Sequence, residues 1–251
     1  MKALIIAQHE FKSLFLSPLA WSLLGVLQFI FAYLFLTQIE NFMRVQPQLA
    51  FIEHAPSLTD IIVPPLFGNA GIILLLLCPI LTMSVICQER RAKTFALLLS
   101  APLSSTDIIV GKYLGISFLL MVITSGISLM PLSLALGGSI DLGKLACNAL
   151  ALTLLVGAFG AVGVFCSTLA PHPVLAAILS FSFLLLLWIM DWSTAIKDQA
   201  NEIINYLSLV RHFQNLQTGL IHSADLGYFL LFIASFLWLS IRCLDYQRLQ
   251  K

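Results

Sequence analysis

Residues 145–190 read LACNALALTLLVGAFGAVGVFCSTLAPHPVLAAILSFSFLLLLWIM, with no Asp, Glu, Lys or Arg among them. Two apolar runs, 145–169 and 174–190, are divided only by Pro171-His172-Pro173. A bilayer hydrocarbon core of about 30 Å is crossed by roughly 20 apolar residues in helical form. Proline fixes φ, lacks an N–H and disfavours helix in the residue before it, so the Pro-His-Pro step predicts a hard turn between two antiparallel helices. The stretch therefore reads as a membrane-spanning hairpin.

The same pattern recurs outward in both directions. Apolar stretches at 18–39, 66–87, 110–137 and 226–243 join 145–169 and 174–190, giving six expected spans. The whole chain is 59% hydrophobic and only 10% charged, where soluble domains carry about 25% charged residues. The expected fold is an all-α integral membrane protein of six transmembrane helices in a single domain, 1–251. The run Ala3 to Ala7 is too short for a cleavable signal and is followed by Gln8-His9-Glu10, so the first long span is expected to be retained. A net charge of +1 offers no basic field for nucleic acid. Cys78, Cys87, Cys147, Cys166 and Cys243 lie scattered in or near apolar runs and read as small hydrophobes rather than disulfide or metal ligands.

Orientation follows from the Lys/Arg bias. With six spans, Lys2, Lys12, Arg90, Arg91, Lys93, Lys112, Arg242, Arg248 and Lys251 share one side, against Arg44, Lys144, Lys197 and Arg211 on the other. Both termini and the 88–109 segment are thus expected in the cytoplasm.

Residues 1–17 precede the first span. Leu4, Ala7, Phe11, Leu14 and Phe15 fall on one helical stripe and Gln8, His9, Lys12 and Ser13 opposite it. That pattern predicts an amphipathic interfacial helix turning into the membrane near Ser17-Pro18; a plain extension of the first span is the alternative. The first outer loop, 40–65, with Pro47, Pro56, Pro64 and Pro65, reads as short interfacial pieces. Gly157, Gly160 and Gly163 supply a small-residue face for close helix packing, static or moving. The outer segment 191–225 contains Leu207, Val210, Phe213, Leu216 and Leu220 at helical spacing, either a re-entrant helix or an amphipathic cap on the bundle.

Several chemistries lack their residues. No ionisable group lies deep within an expected span, which removes the usual carriers of proton or sodium coupling. His9-Glu10 has no second histidine for a zinc helix, no GxSxG elbow occurs, and Gly111-Lys112 lacks the rest of a phosphate loop. The chain itself is therefore expected not to be an enzyme, and any ATP and Mg must be held by another chain.

The cytoplasmic segment is the polar exception. Phe95, Leu98 and Leu99 recur at helical spacing after Glu89 to Lys93, Pro102 stops the helix, and Ser104-Ser105-Thr106-Asp107 offers capping groups for the next one. A short helix with an apolar face fits either a partner's groove or the chain's own bundle.

Residue by residue, Pro79-Ile80-Leu81-Thr82-Met83, Glu89-Arg90-Arg91, Thr94, Leu98-Leu99, Pro102 and Gly111-Lys112 resemble the permeases of ABC-2-type transporters, closest to the gliding-motility-type subgroup. SPLAW at Ser17 to Trp21 and the run from Tyr206 to Phe229 extend the resemblance over nearly the whole chain. This sequence departs at Ser84, Gln88, Lys93 and Ala96, where such permeases often carry Arg, Glu, Gly and Glu.

The resemblance implies a permease subunit of an ATP-driven exporter in a bacterial inner membrane. It would pair with a second permease copy or paralogue and with two ABC ATP-binding subunits. An auxiliary periplasmic-facing subunit is a further partner of the subgroup. Glu89, Arg90, Thr94, Phe95, Leu98, Leu99 and Pro102 would form the main coupling helix, and Pro171 and His172 a second, smaller contact. Residues 1–17 would be the elbow helix, followed by spans 1–2 in 18–87, spans 3–5 in 110–190, and span 6 with a cytoplasmic tail in 226–251. The alternative is a non-translocating subunit that transmits force in an ABC-linked surface or motility machine.

Overall fold

A computed structural model describes residues 2–16, 18–49, 57–91, 104–136, 140–196 and 208–249. Apart from caps and short turns they are helical: α1 Lys2–Leu16, α2 Pro18–Leu49, α3 Leu58–Thr82, α4 Ser84–Arg91, α5 Ser105–Ser133, α6 Leu142–Leu169, α7 Pro173–Ile196, α8 Leu209–Gln217 and α9 Ser223–Leu249, with a 3-10 turn at Leu134–Leu136. No strand occurs among the described residues. Five stretches are long and apolar enough to cross a membrane: Ala20–Gln48, Leu58–Cys87, Ser105–Ser133, Leu142–Leu169 and Ser223–Arg248. In α7 the apolar part, Pro173–Ile189, is shorter.

The helix ends follow local chemistry. Ser57 caps α3 and Ser104 caps α5, each in a reciprocal box with an aspartate three residues on, Asp60 and Asp107. Asp141 caps α6 through the Gly143 and Lys144 amides. These caps start the helices earlier than apolar composition suggests. Pro64 and Pro65, expected in a loop, lie inside α3. Residues 40–49, also expected in the outer loop, continue α2 instead, carrying the exposed Arg44–Glu40 pair at 2.6 Å. The 32 residues of α2 span about 48 Å, well beyond a hydrocarbon core of about 30 Å.

The sixth helix is the hub. It packs against α3, α4, α5, α7, α8 and α9. Ala151, Leu152, Leu155, Val156, Ala158, Ala161, Val162 and Val164 on α6 are all buried. In lipid such contacts are stabilised by close van der Waals packing rather than by water exclusion, which explains the small residues along this helix.

The most extensive pairing joins α1 to α5. The two run in the same direction, since Gly111 faces Ala3 and Ile6, Gly115 faces Ala7 and Glu10, and Phe118 meets Phe11 edge-on at 4.6 Å. A Cβ on Gly111 would come within 2.7 Å of the Ala3 carbonyl oxygen and one on Gly115 within 2.8 Å of the Glu10 Cβ. The absence of both side chains admits α1. This contact rotates α1 relative to the expected stripe: Leu4 is 71% exposed while Ile6 packs on the core. The Trp21 indole in the first turn of α2 donates to the Phe15 carbonyl at the end of α1 at 2.8 Å.

Candidate functional site

One end of the bundle collects the start of α1, all of α4, the first turns of α5, and the Pro171-His172-Pro173 step. It is built from a helix break. Pro79 lies inside α3 and supplies no N–H, and the Thr82 hydroxyl bonds back to the Cys78 carbonyl at 2.8 Å. Met83 ends α3 and α4 restarts at Ser84. A restarting helix leaves its first amides without partners. Here the buried Ser167 Oγ accepts from Ile86 N at 3.1 Å and Cys87 N at 3.4 Å, and lies 3.3 Å from the Met83 carbonyl oxygen, to which it donates. A serine on α6 thus serves as the cap of α4 from a distant part of the chain.

The end of α6 is satisfied in return. The Cys87 thiol donates to the carbonyls of Ser167 at 3.3 Å and Ala170 at 3.2 Å. From α9, Gln247 Nε2 donates to the Thr168 carbonyl at 3.1 Å. Pro171 and His172 emerge exposed directly after this cluster, and the His172 carbonyl accepts from Ala176 N in the first turn of α7.

The structure therefore brings the entry to the 92–103 segment beside Pro171 and His172. Glu89 and Arg90 stand in the helical backbone of α4, their side chains outside the described residues. Thr94, Phe95, Leu98, Leu99 and Pro102 also lie outside the described residues. The segment's return is fixed by the Ser104–Asp107 box.

A charged node lies just inside this end. Lys112 on α5 is 2% exposed, although its place in the sequence suggested the membrane surface. Its Nζ donates to the Val85 carbonyl on α4 at 2.7 Å and sits 3.5 Å from Glu10 Oε2 on α1. A buried ammonium is tolerated only with such partners.

The three glycines on α6 face α5, α3 and, at Gly157, also Ile233 of α9. Gly157 accepts the Tyr113 hydroxyl at its carbonyl, 3.1 Å, and a Cβ on Gly160 would be 3.4 Å from Leu120 Cδ1, both on α5. Gly163 meets α3, where an added Cβ would overlap the Thr82 Oγ1 and fall 2.6 Å from its Cβ.

A cavity of about 510 Å³ opens between the far halves of α5 and α6, lined by Met121, Thr124, Ser125, Ser128, Leu129 and Thr153 among others. Each hydroxyl there bonds its own helix: Thr124 to Met121 O, Ser125 to Val122 O, Ser128 to Thr124 O and Thr153 to Ala149 O. The wall is left almost wholly hydrocarbon, which suits an apolar occupant.

The opposite end is closed by α8. Val210, Phe213 and Leu216 are buried, Leu220 is exposed, and Leu207 lies outside the described residues. His212 and Asp225 are both buried and pair at 2.5 Å, with Tyr228 stacked 4.1 Å from the imidazole. Lys144 and Asp60 pair at 2.6 Å between the starts of α6 and α3. Sequence reading passed over Ser167 and the His212–Asp225 pair and gave Lys112 no buried partner, because each gains its role from a partner on another helix. The one local hint was a serine and a lysine at the ends of otherwise apolar runs. Among the described residues no group of three or more His, Cys, Asp or Glu side chains is placed to hold a metal.

Compared with families of known proteins, residues 4–245 match the family described as ABC-2 family transporter protein. Among curated proteins nothing matches.

Proposed function

This chain belongs to the ABC-2 family of transporter proteins, and on that premise we propose that it is the permease subunit of an ATP-driven exporter in a bacterial inner membrane. The observation that carries the reading is the junction at the α4 end. There Cys87, one turn before the segment 92–103, is hydrogen-bonded to Ala170, next to the exposed Pro171 and His172. An exposed Pro171-His172 step joined through buried hydrogen bonds to the helix that precedes 92–103 suits a docking face on which one partner presses both at once.

The partners proposed are two ATP-binding subunits, carrying ATP and Mg, and a second permease copy or paralogue. In this reading Glu89, Arg90, Thr94, Phe95, Leu98, Leu99 and Pro102 form the coupling helix. α7 is taken as the remaining span, the fifth in chain order: the helix, Pro173–Ile196, reaches about 36 Å, and its apolar part, Pro173–Ile189, covers about 26 Å of a hydrocarbon core of about 30 Å. Both termini then lie in the cytoplasm, in keeping with the Lys/Arg bias, and α1 is the elbow helix, held on α5. ATP-driven closure of the partner subunits would shift the bundle between two packed states. The hydrocarbon-lined cavity favours a lipid-like or other amphipathic substrate.

The test is purification of the tagged chain in mild detergent, identification of co-purifying chains, and reconstitution in vesicles. An ATP-binding chain in the complex and ATP-dependent movement of a labelled amphipathic substrate are expected. A complex without any ATP-binding chain would overturn the reading, and coupled ATP hydrolysis with no movement would assign force transmission instead.

A further inference from the structure

We propose that Lys112 is a positioning residue that links the coupling segment to the N-terminal helix, so that displacement of α4 is carried to α1. This rests on the permease reading above. Three elements meet at one ammonium: α5 supplies it, α4 offers the Val85 carbonyl at 2.7 Å, and α1 offers Glu10 at 3.5 Å.

The arrangement around α4 makes that node more than a fastening. α4 follows α3 after a one-residue interruption at Met83 and precedes the 92–103 segment in the chain. In its first turn α4 is held from two sides, with amides on Ser167 of α6 and a carbonyl on Lys112 of α5. A push on 92–103 must therefore move against, or together with, these two side chains. Ser167 belongs to the central hub. Lys112 sits where α5 is joined to α1 through the Gly111 and Gly115 approaches. The tighter contact is to Val85, so the ammonium follows α4, and the field of Glu10 follows the ammonium. The ammonium is buried while the Glu10 side chain is 20% exposed, so their attraction is partly screened yet stronger than between two fully hydrated charges, and it supplies a spring between α4 and α1.

Permease complexes with their ATP-binding subunits would be prepared with the unaltered chain, Lys112→Met, Lys112→Arg, Glu10→Gln and the Glu10→Gln/Lys112→Met pair. Readouts are ATP-subunit co-purification, permease-dependent acceleration of ATP hydrolysis, thermal midpoint and amide exchange. Lys112→Met is expected to keep the ATP-binding subunit but lower the acceleration about tenfold, the scale of losing one hydrogen bond from a charged donor. Exchange should quicken in both Ser84–Arg91 and Lys2–Leu16. Lys112→Arg should retain most of the acceleration. The double variant should stay low, because the Val85 carbonyl still lacks its donor. Unchanged acceleration in Lys112→Met, or full recovery in the double variant, would overturn the proposal. So would acceleration that falls only in proportion to the thermal midpoint across all variants. If the unaltered chain binds no ATP-hydrolysing subunit, the permease reading falls, and the proposal with it. Loss confined to the variants separates the two.

Discussion

Ser167 Oγ on α6 stands 3.1 Å from the amide nitrogen of Ile86 on α4, across 81 positions of sequence. It closes the helix break at Met83 from outside. Helix caps are usually supplied by the residue just before the helix; here that position is filled by the end of α3, and the acceptor comes from the hub.

Ser167→Ala is therefore expected to leave the Ile86 and Cys87 amides buried without an acceptor. Stability should fall by about 1–3 kcal/mol, with faster amide exchange confined to α4. Thermal unfolding in detergent and peptide-resolved exchange measure both. Unchanged exchange at these two amides would remove Ser167 as the cap.

The glycines of α6 should differ sharply in tolerance. At Gly163 a methyl group would overlap Thr82, so Gly163→Ala should cost about 1–3 kcal/mol by overpacking. At Gly160 the nearest atom would be Leu120 Cδ1 at 3.4 Å, and alanine there should be neutral or stabilising by up to about 1 kcal/mol. Adding Thr82→Ala to Gly163→Ala should recover part of the loss, a coupling that a double-mutant cycle reads directly.

Two polar pairs at the far end should also separate by burial. His212–Asp225 is buried on both sides, so Asp225→Asn, which replaces the carboxylate facing the imidazole, should cost about 1–3 kcal/mol. Lys144–Asp60 is 35% exposed on each side, and Lys144→Met should cost no more than about 1 kcal/mol. Equal thermal shifts for the two variants would contradict this ranking.

For the docking face, Leu98→Asp is expected to weaken ATP-subunit binding about thirtyfold, the scale of one central hot-spot residue. Glu89→Lys should do so less severely. Both variants should insert and fold as the unaltered chain does. Pull-down titration against thermal midpoint tests this; full binding by both would exclude 92–103 as the coupling helix.

Much of this architecture is legible in the residues taken in order. Apolar length sets where helices can cross a bilayer, Pro171-His172-Pro173 sets a turn, and Ser104 with Asp107 sets a helix start, because each effect acts within a few residues. Boundaries shift where local capping outweighs composition. Asp60 and Ser57 start α3 eight residues before the expected span, and α2 continues through residues 40–49.

What the chain order by itself determined is helical identity, membrane character and family. What only the tertiary structure decided is which polar groups meet: Ser167 with Ile86, Lys112 with Val85 and Glu10, His212 with Asp225. The physical reason is range. Helix formation and bilayer partitioning depend on neighbours along the chain, whereas pairing a buried donor depends on which acceptor the packed helices bring within 3 Å or so. Gly111, Gly115 and Gly163 mark where that packing is closest, but a glycine in a sequence does not name the helix that will lie against it.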